Sequence, residues 1–271
     1  MVDEEIKNRK GARKAQNIPK NVLKLLNEGK IPTVNLTEWL AVKQTELIKN
    51  TFQKIGLKDS VDTITKAIAQ QKKPSTMSSI KLIGQHLYEY CRQSKNLVST
   101  IELLSNHESD TIRCYATYLI ALNSNLNISE KLDQSRKLIA DKHFGVREIV
   151  WMALRPEIEK NLTESIEILC EWTNDTDENI RRFTTESTRP RGVWCKHIET
   201  LKENPEQALP ILEPLKSDKS KYVQNSVGNW LNDASKSNPE FVIVLCTKWK
   251  SESLTTETEK IIKRALRTIV K

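Results

Sequence analysis

Four stretches of this chain superimpose on one pattern, and a repeat of that kind restricts the possible folds more than any other feature of the sequence. They are LLSNHESDTIRCYATYLI, LIADKHFGVREIVWMALRP, CEWTNDTDENIRRFTTESTRP and PLKSDKSKYVQNSVGNWLND. With Ile112, Val146, Ile180 and Val223 as position zero, a large apolar residue stands eight earlier: Leu104, Leu138, Trp172 and Leu215. Asp stands five earlier in three of them (Asp141, Asp175, Asp218), and Arg follows position zero in three (Arg113, Arg147, Arg181), with Gln224 in the fourth. Anchor spacings of 34, 34 and 43 residues are those of a two-helix unit. The pattern predicts one helix ending near the minus-eight residue, Asp in the turn, and a second helix starting just ahead of zero. One such helix pair cannot bury its own apolar stripe, so the pairs must stack.

The rest of the chain agrees with an all-α class. Only 7 glycines occur in 271 residues, and long stretches are rich in Leu, Ile, Ala, Glu and Lys, which favour helix. NVLKLLNEG, LTEWLAVKQTELIKNTFQKIG and SSIKLIGQHLYEYCRQ read as amphipathic helices separated by Gly29, Gly56 and the KKPST stretch. Residues 1–18 lack an apolar stripe and read either as a flexible basic arm, with Lys7, Arg9, Lys10, Arg13 and Lys14 free for a phosphate backbone, or as a solvated tail. Residues 19–271 read as a single repeat domain.

Basic side chains outnumber acidic ones, 43 to 35, leaving a net charge of +8 that suits a polyanionic partner and is also met in proteins without one. The five cysteines are scattered, without CxxC spacing, so neither a disulfide framework nor a zinc site is expected, and a reducing cytoplasm fits them. The N-terminus has no apolar signal core, and no run of about 18 apolar residues suggests a membrane span.

The second helices are the informative part. Offsets 0, +3, +4, +7 and +8 share one face and are mostly apolar, as in Val146, Ile149, Val150, Ala153 and Leu154. Offsets +2, +5, +6 and +9 share the opposite face, expected to be exposed on the inner surface of the array. That face carries Glu148, Trp151, Met152 and Arg155, then Arg182, Thr185, Glu186 and Arg189. The flanking repeats add Asn225, Gly228, Asn229 and Asn232 on one side and Cys114, Thr117, Tyr118 and Ala121 on the other. A merely solvated face is expected to resemble TETEKIIKR instead.

Arginines and amides suit phosphate and sugar contacts, and Trp151 and Tyr118 suit stacking on sugars or bases. Trp151 is equally suited to packing between helices; Trp39, Trp172, Trp230 and Trp249 read as core. Glu148 and Glu186 either pair with Arg147, Arg182 or Arg189, or stabilise a cationic sugar during cleavage of an N-glycosidic bond. RRFTTESTRPRGVW, residues 181–194, is the least repeat-like stretch: Pro190 stops the helix, and Arg189, Arg191 and Lys196 cluster at its exit. This connection is either a DNA-contacting loop or a packing insertion.

The Leu, Asp, Val-Arg arrangement, with Pro210 in the first helix of its repeat, resembles the HEAT consensus. RRFTTESTRPRGVW, YVQNSVGNWLNDASKSNPEFV and VREIVWMALRP together resemble the AlkC branch of the AlkC/AlkD superfamily of bacterial DNA alkylation repair glycosylases. The resemblance implies a right-handed α-α superhelix of HEAT-like repeats that holds duplex DNA in its concave groove. It further implies excision of cationic bases such as 3-methyladenine without a deep base pocket, cofactor or metal, by a monomer in the bacterial cytoplasm at the nucleoid. By repeat register it places the catalytic carboxylate on Glu148, with Glu186 as second candidate. DNA contacts are then expected from Tyr118, Trp151, Arg155, Arg182, Arg189, Arg191, Asn229 and Asn232. The AlkD branch has an aromatic where this chain has Asn229, and the C-terminal immunoglobulin-like domain of some AlkC proteins is not expected here. The alternatives are a HEAT-repeat DNA binder without catalysis and a protein-interaction scaffold.

Overall fold

The computed structural model describes residues 3–269. Among these residues there are seventeen α-helices and no strands. In order they are α1 (Glu4–Lys7), α2 (Lys20–Asn27), α3 (Leu36–Ala41), α4 (Gln44–Thr51), α5 (Val61–Ala69), α6 (Thr76–Gln93), α7 (Leu97–Ser105), α8 (Asp110–Ala121) and α9 (Ile128–Ile139). There follow α10 (Phe144–Lys160), α11 (Leu162–Trp172), α12 (Glu178–Ser187), α13 (Glu199–Glu203), α14 (Leu209–Leu212), α15 (Lys221–Ser235), α16 (Pro239–Glu252) and α17 (Thr256–Ala265). The chain forms two compact units. The first comprises residues up to Asn125 with Asp141–Ala153, and the second Leu126–Ala140 with residues from Leu154 onward.

In the first unit α8 packs on α6 and α7. Gly84 of α6 makes the approach to α8 possible, since a Cβ there would lie 2.4 Å from the Cβ of Tyr118. The chain turns through the left-handed region at Gly29 and Gly56, as the sequence suggests. The stretch read as one helix from Leu36 onward is two helices, α3 and α4, with Val42 extended between them. The reason is tertiary: Asn27 on α2 accepts the Lys43 N–H at 2.9 Å and donates to Glu46 at 3.0 Å, so the chain finds its hydrogen bonds outside its own helix.

The basic N-terminal segment is not a free arm throughout. Arg9 donates to both carboxylate oxygens of buried Glu38, at 2.9 and 2.6 Å, and to the Pro32 carbonyl at 2.7 Å. Ala12 and Arg13 accept through their carbonyls from Asn35 and Thr37. Arg9 is therefore committed internally, because leaving Glu38 buried and unpaired costs more than immobilising one arginine.

The register carries through both units. The four anchors and the four minus-eight residues are all buried. Second helices begin at Asp110, Phe144, Glu178 and Lys221, each two residues ahead of its anchor. The turn chemistry explains the Asp. Asp141, Asp175 and Asp218 each accept the N–H two residues on, at 2.7 to 2.8 Å, closing a turn that leads into the second helix. In the repeat that lacks the Asp, His107 does the same work through Nδ1, taking the Ser109 N–H at 3.0 Å.

The Arg after the anchor binds twice. Arg113 donates to its own turn, at the carbonyls of His107 and Glu108, and forks onto Asp141 of the following turn at 2.7 and 3.0 Å. Arg181 repeats this on Asp175, Thr176 and Asp218. Gln224 keeps only the first half, donating to the Asp218 carbonyl at 2.8 Å. In each unit one bidentate pair thus fixes one turn to the next.

In the second unit α12 and α17 both pack on α15, and α11 packs on α12 and α14. The first helix of the fourth repeat is broken into α13, a 3-10 turn at Pro205–Ala208, and α14. Pro205 and Pro210 each remove a backbone donor there.

Candidate functional site

The face read as exposed is largely closed. Tyr118, Trp151, Arg155, Arg182, Glu186, Arg189 and Asn232 are all buried, whereas Glu148, Arg191 and Asn229 keep part of their surface open. This corrects the helical-wheel reading. A stripe on one helix identifies its densest contact, but a helix inside a stack is covered on its flanks as well.

In the first unit Trp151 is 1% exposed and donates its indole N–H to Glu148 Oε2 at 2.9 Å. Helical spacing of three residues sets that contact. Tyr118 lies against Gly84 on α6.

In the second unit a chain of alternating charges joins α12 to α15. Glu186, 4% exposed, accepts from Arg189 at 2.7 Å through Oε1 and from the Ser226 hydroxyl at 2.8 Å through Oε2, with Arg182 3.5 Å away. Arg189 also donates to Asp233 at 2.8 Å, and Lys236 closes the series on Asp233. Arg182 lies over the ring of Tyr222, 4.5 Å from its centroid. Burial pushes the Glu186 carboxyl up, but Arg182, Arg189 and Ser226 outweigh it and hold it below the usual value. Burial likewise opposes the charge on Arg189, and Glu186 and Asp233 more than restore it. Glu186 thus shares its charge with two arginines.

Arg155 has an unusual partner set. Its Nε donates to the Lys196 carbonyl at 2.9 Å, its Nη1 to the Ser187 carbonyl at 2.9 Å, and its Nη2 to the Arg189 carbonyl. Burial draws its pKa below the ordinary guanidinium value. Arg191 donates to the Ser237 hydroxyl at 2.7 Å, and Asn232 to the Ala265 carbonyl and the Thr268 hydroxyl.

Sequence reasoning missed a cationic cleft of about 410 Å³ between α15 and the C-terminal segment. Lys221, Lys260, Lys263, Arg264 and Arg267 line it with Gln224 and Asn225, and no carboxylate does so. Gly228 lets α17 lie close to α15, since a Cβ there would be 2.8 Å from Arg264. Asn229 accepts from Arg267 at 3.0 Å and from Arg264 at 3.5 Å, holding two guanidiniums side by side. Burial, and then repulsion from Arg264, lower the pKa of Arg267. The helix set aside as merely solvated, TETEKIIKR, therefore supplies three of the cleft's five cations, Lys260, Lys263 and Arg264.

Among the described residues no group of three or more His, Cys, Asp or Glu side chains is placed to hold a metal ion, and no helix is long and apolar enough to cross a membrane.

Helix pairs in each unit, an Asp–Arg fork between turns in each, and a carboxylate-free cationic cleft in the second define a HEAT-like repeat protein suited to a polyanion. The chain belongs to the DNA alkylation repair enzyme family, whose model it matches over residues 41–259. It shares its fold with alkylpurine DNA glycosylase AlkC of Pseudomonas fluorescens, solved bound to DNA containing an abasic site analog. That match is 23% identical with a TM-score of 0.65 and covers 79% of this chain and 57% of that one. AlkD2 from Streptococcus mutans matches at 25% identity and a TM-score of 0.62, over 79% of this chain and 99% of its own. YhaZ of Bacillus subtilis (strain 168), itself uncharacterised, is 40% identical over 119 residues, which are 44% of this chain and a third (33%) of that protein.

Proposed function

We propose that this protein is a DNA N-glycosylase of the AlkC branch that removes cationic N-alkylated bases, 3-methyladenine among them, from duplex DNA. It acts as a monomer in the bacterial cytoplasm, on nucleoid DNA. The observation that carries the reading is the family match, which spans 41–259 and so includes Glu148, Glu186 and the α12–α15 charge network. The cationic cleft supports it, because five clustered cations without a carboxylate suit a phosphodiester backbone.

Glu148 is the carboxylate assigned to the chemistry. Glu186 has both oxygens engaged and its charge offset by two arginines, so little of its field is left for a developing cation. Glu148 keeps part of its surface open and is oriented by the Trp151 indole. Losing a cationic base builds oxocarbenium character on the deoxyribose, and an ionised carboxylate nearby stabilises it or activates the attacking water. A base that is already cationic leaves without a general acid. Arg182, Arg189 and Arg155 act by building the scaffold, while Arg191, Asn229 and the cleft cations contact the DNA.

The test is chromatography of bases released from methylated duplex DNA under single-turnover conditions. Wild type is expected to release 3-methyladenine, and Glu148→Gln to slow release by about a hundredfold or more with binding nearly unchanged. Binding without release by excess wild type would leave a non-catalytic DNA binder. Neither binding nor release would leave a protein-interaction scaffold.

A further inference from the structure

We infer that the connection between α12 and α13 is an aromatic wedge whose Trp194 inserts into the base stack of bound duplex DNA; this rests on the DNA reading above. The loop has a firm base. The Ile198 N–H donates to the Pro190 carbonyl at 3.0 Å and closes its neck. The buried Arg155 guanidinium fills the interior and holds the carbonyls of Ser187, Arg189 and Lys196. Gly192 lies against that guanidinium: a Cβ there would sit 3.2 Å from Arg155 Cζ and 2.1 Å from Cys195 Sγ. Arg191 is tethered to Ser237.

On this base stands an indole with little to pack against. Trp194 is 67% exposed, beside exposed Val193, whereas the other five tryptophans of the chain are buried. Its φ of +64° lies in the left-handed region, which a bulky side chain rarely adopts. The anchored loop thus holds the indole out in a conformation that the residue itself disfavours.

The surrounding charge identifies the occupant. Residues 187–198 contain no carboxylate, and Arg191 and Lys196 flank the tip in sequence, Lys196 with its Nζ also 3.4 Å from Glu159 and Arg191 within electrostatic reach of Glu199. An apolar point between cationic shoulders matches a stack of bases between two phosphate backbones, and it lacks the broad apolar surround of a protein interface. Insertion would unstack one step and expose the sugar at that step, which is easiest where a damaged base stacks poorly. Trp194 is thereby a positioning residue for base release.

Because Trp194 is the one exposed tryptophan, acrylamide quenching of intrinsic fluorescence reports on it selectively. Three measurements are made together: anisotropy of labelled duplex, acrylamide quenching, and emission of 2-aminopurine placed beside the lesion. The wedge predicts that duplex DNA removes the quenchable fraction and brightens 2-aminopurine. Trp194→Ala should abolish the brightening and slow base release about tenfold, with Trp194→Phe restoring much of both. Trp194→Gly, which accepts the backbone conformation, controls for folding and should behave as Trp194→Ala does. DNA binding that leaves Trp194 quenchable and 2-aminopurine dark overturns the wedge alone. No binding by anisotropy overturns the wedge together with the DNA reading.

Discussion

Replacing Arg155 by Met tests whether this arginine serves the fold or the DNA. In the structure Arg155 is 2% exposed and its guanidinium donates to the backbone carbonyls of residues 187, 189 and 196. A hydrogen bond from a charged donor contributes about 1.5–3 kcal/mol, and a buried acceptor left without a partner costs about 1–3 kcal/mol. Lys196 is exposed, so its carbonyl recovers water when Arg155 is removed; Ser187 and Arg189 are buried and their carbonyls do not. Counting those two alone gives a loss of about 3 kcal/mol. In a chain of this size 1 kcal/mol lowers Tm by about 2–4 °C, so Arg155→Met should lower it by about 6–12 °C. Arg155→Lys should be nearly as damaging, because one ammonium cannot reach three carbonyls arranged around a planar fork. Calorimetry gives the Tm, and hydrogen exchange should show residues 188–198 opening before the rest of the chain. A Tm within about 2 °C of wild type, unchanged exchange and weakened DNA binding would refute the argument and return Arg155 to the nucleic-acid surface.

Other perturbations test other parts of the structure. Asp141→Ala removes both the fork from Arg113 and the acceptor for the His143 N–H, and should cost about 3 kcal/mol in urea unfolding; the double variant Arg113→Met/Asp141→Leu should recover much of it, and a merely additive cycle would count against the fork. Lys260→Ala and Lys263→Ala should each lower the salt slope of DNA binding by up to about 0.9, equally for methylated and undamaged duplex, whereas an unchanged slope would remove the cleft from the interface. Burial holds both His107 and His143 below the ordinary imidazole value of 6.5, so the unfolded chain binds protons first on acidification. Stability should therefore be full above pH 6.5 and decline as pH falls through it toward the lowered folded values. His143→Gln should flatten that decline in Tm, and an identical slope would exclude the histidines as its source.

The sequence by itself determined the repeat register, and with it the core. A turn that needs an acceptor for its second N–H selects Asp, and a helix that must bury a stripe repeats its apolar residues at 3.6-residue spacing. Both are local requirements, visible at Asp141, Asp175 and Asp218 and at Val146 through Leu154. The fate of the polar residues was decided only in three dimensions. Periodicity states which residues share a face of their own helix, but not what a neighbouring helix sets opposite. Arg182, Glu186 and Arg189 were legible as a charged group, and α15 turned them inward by presenting Ser226 and Asp233. Lys221 and Arg267 are far apart in the chain and form one cleft because Gly228 lets α17 close on α15. The RPRGVW stretch stood out as irregular, yet only the closed loop around Arg155 shows Arg155 facing inward and Trp194 facing out. A long polar side chain is placed by the partners it finds, and those partners come from segments that the linear sequence does not bring together.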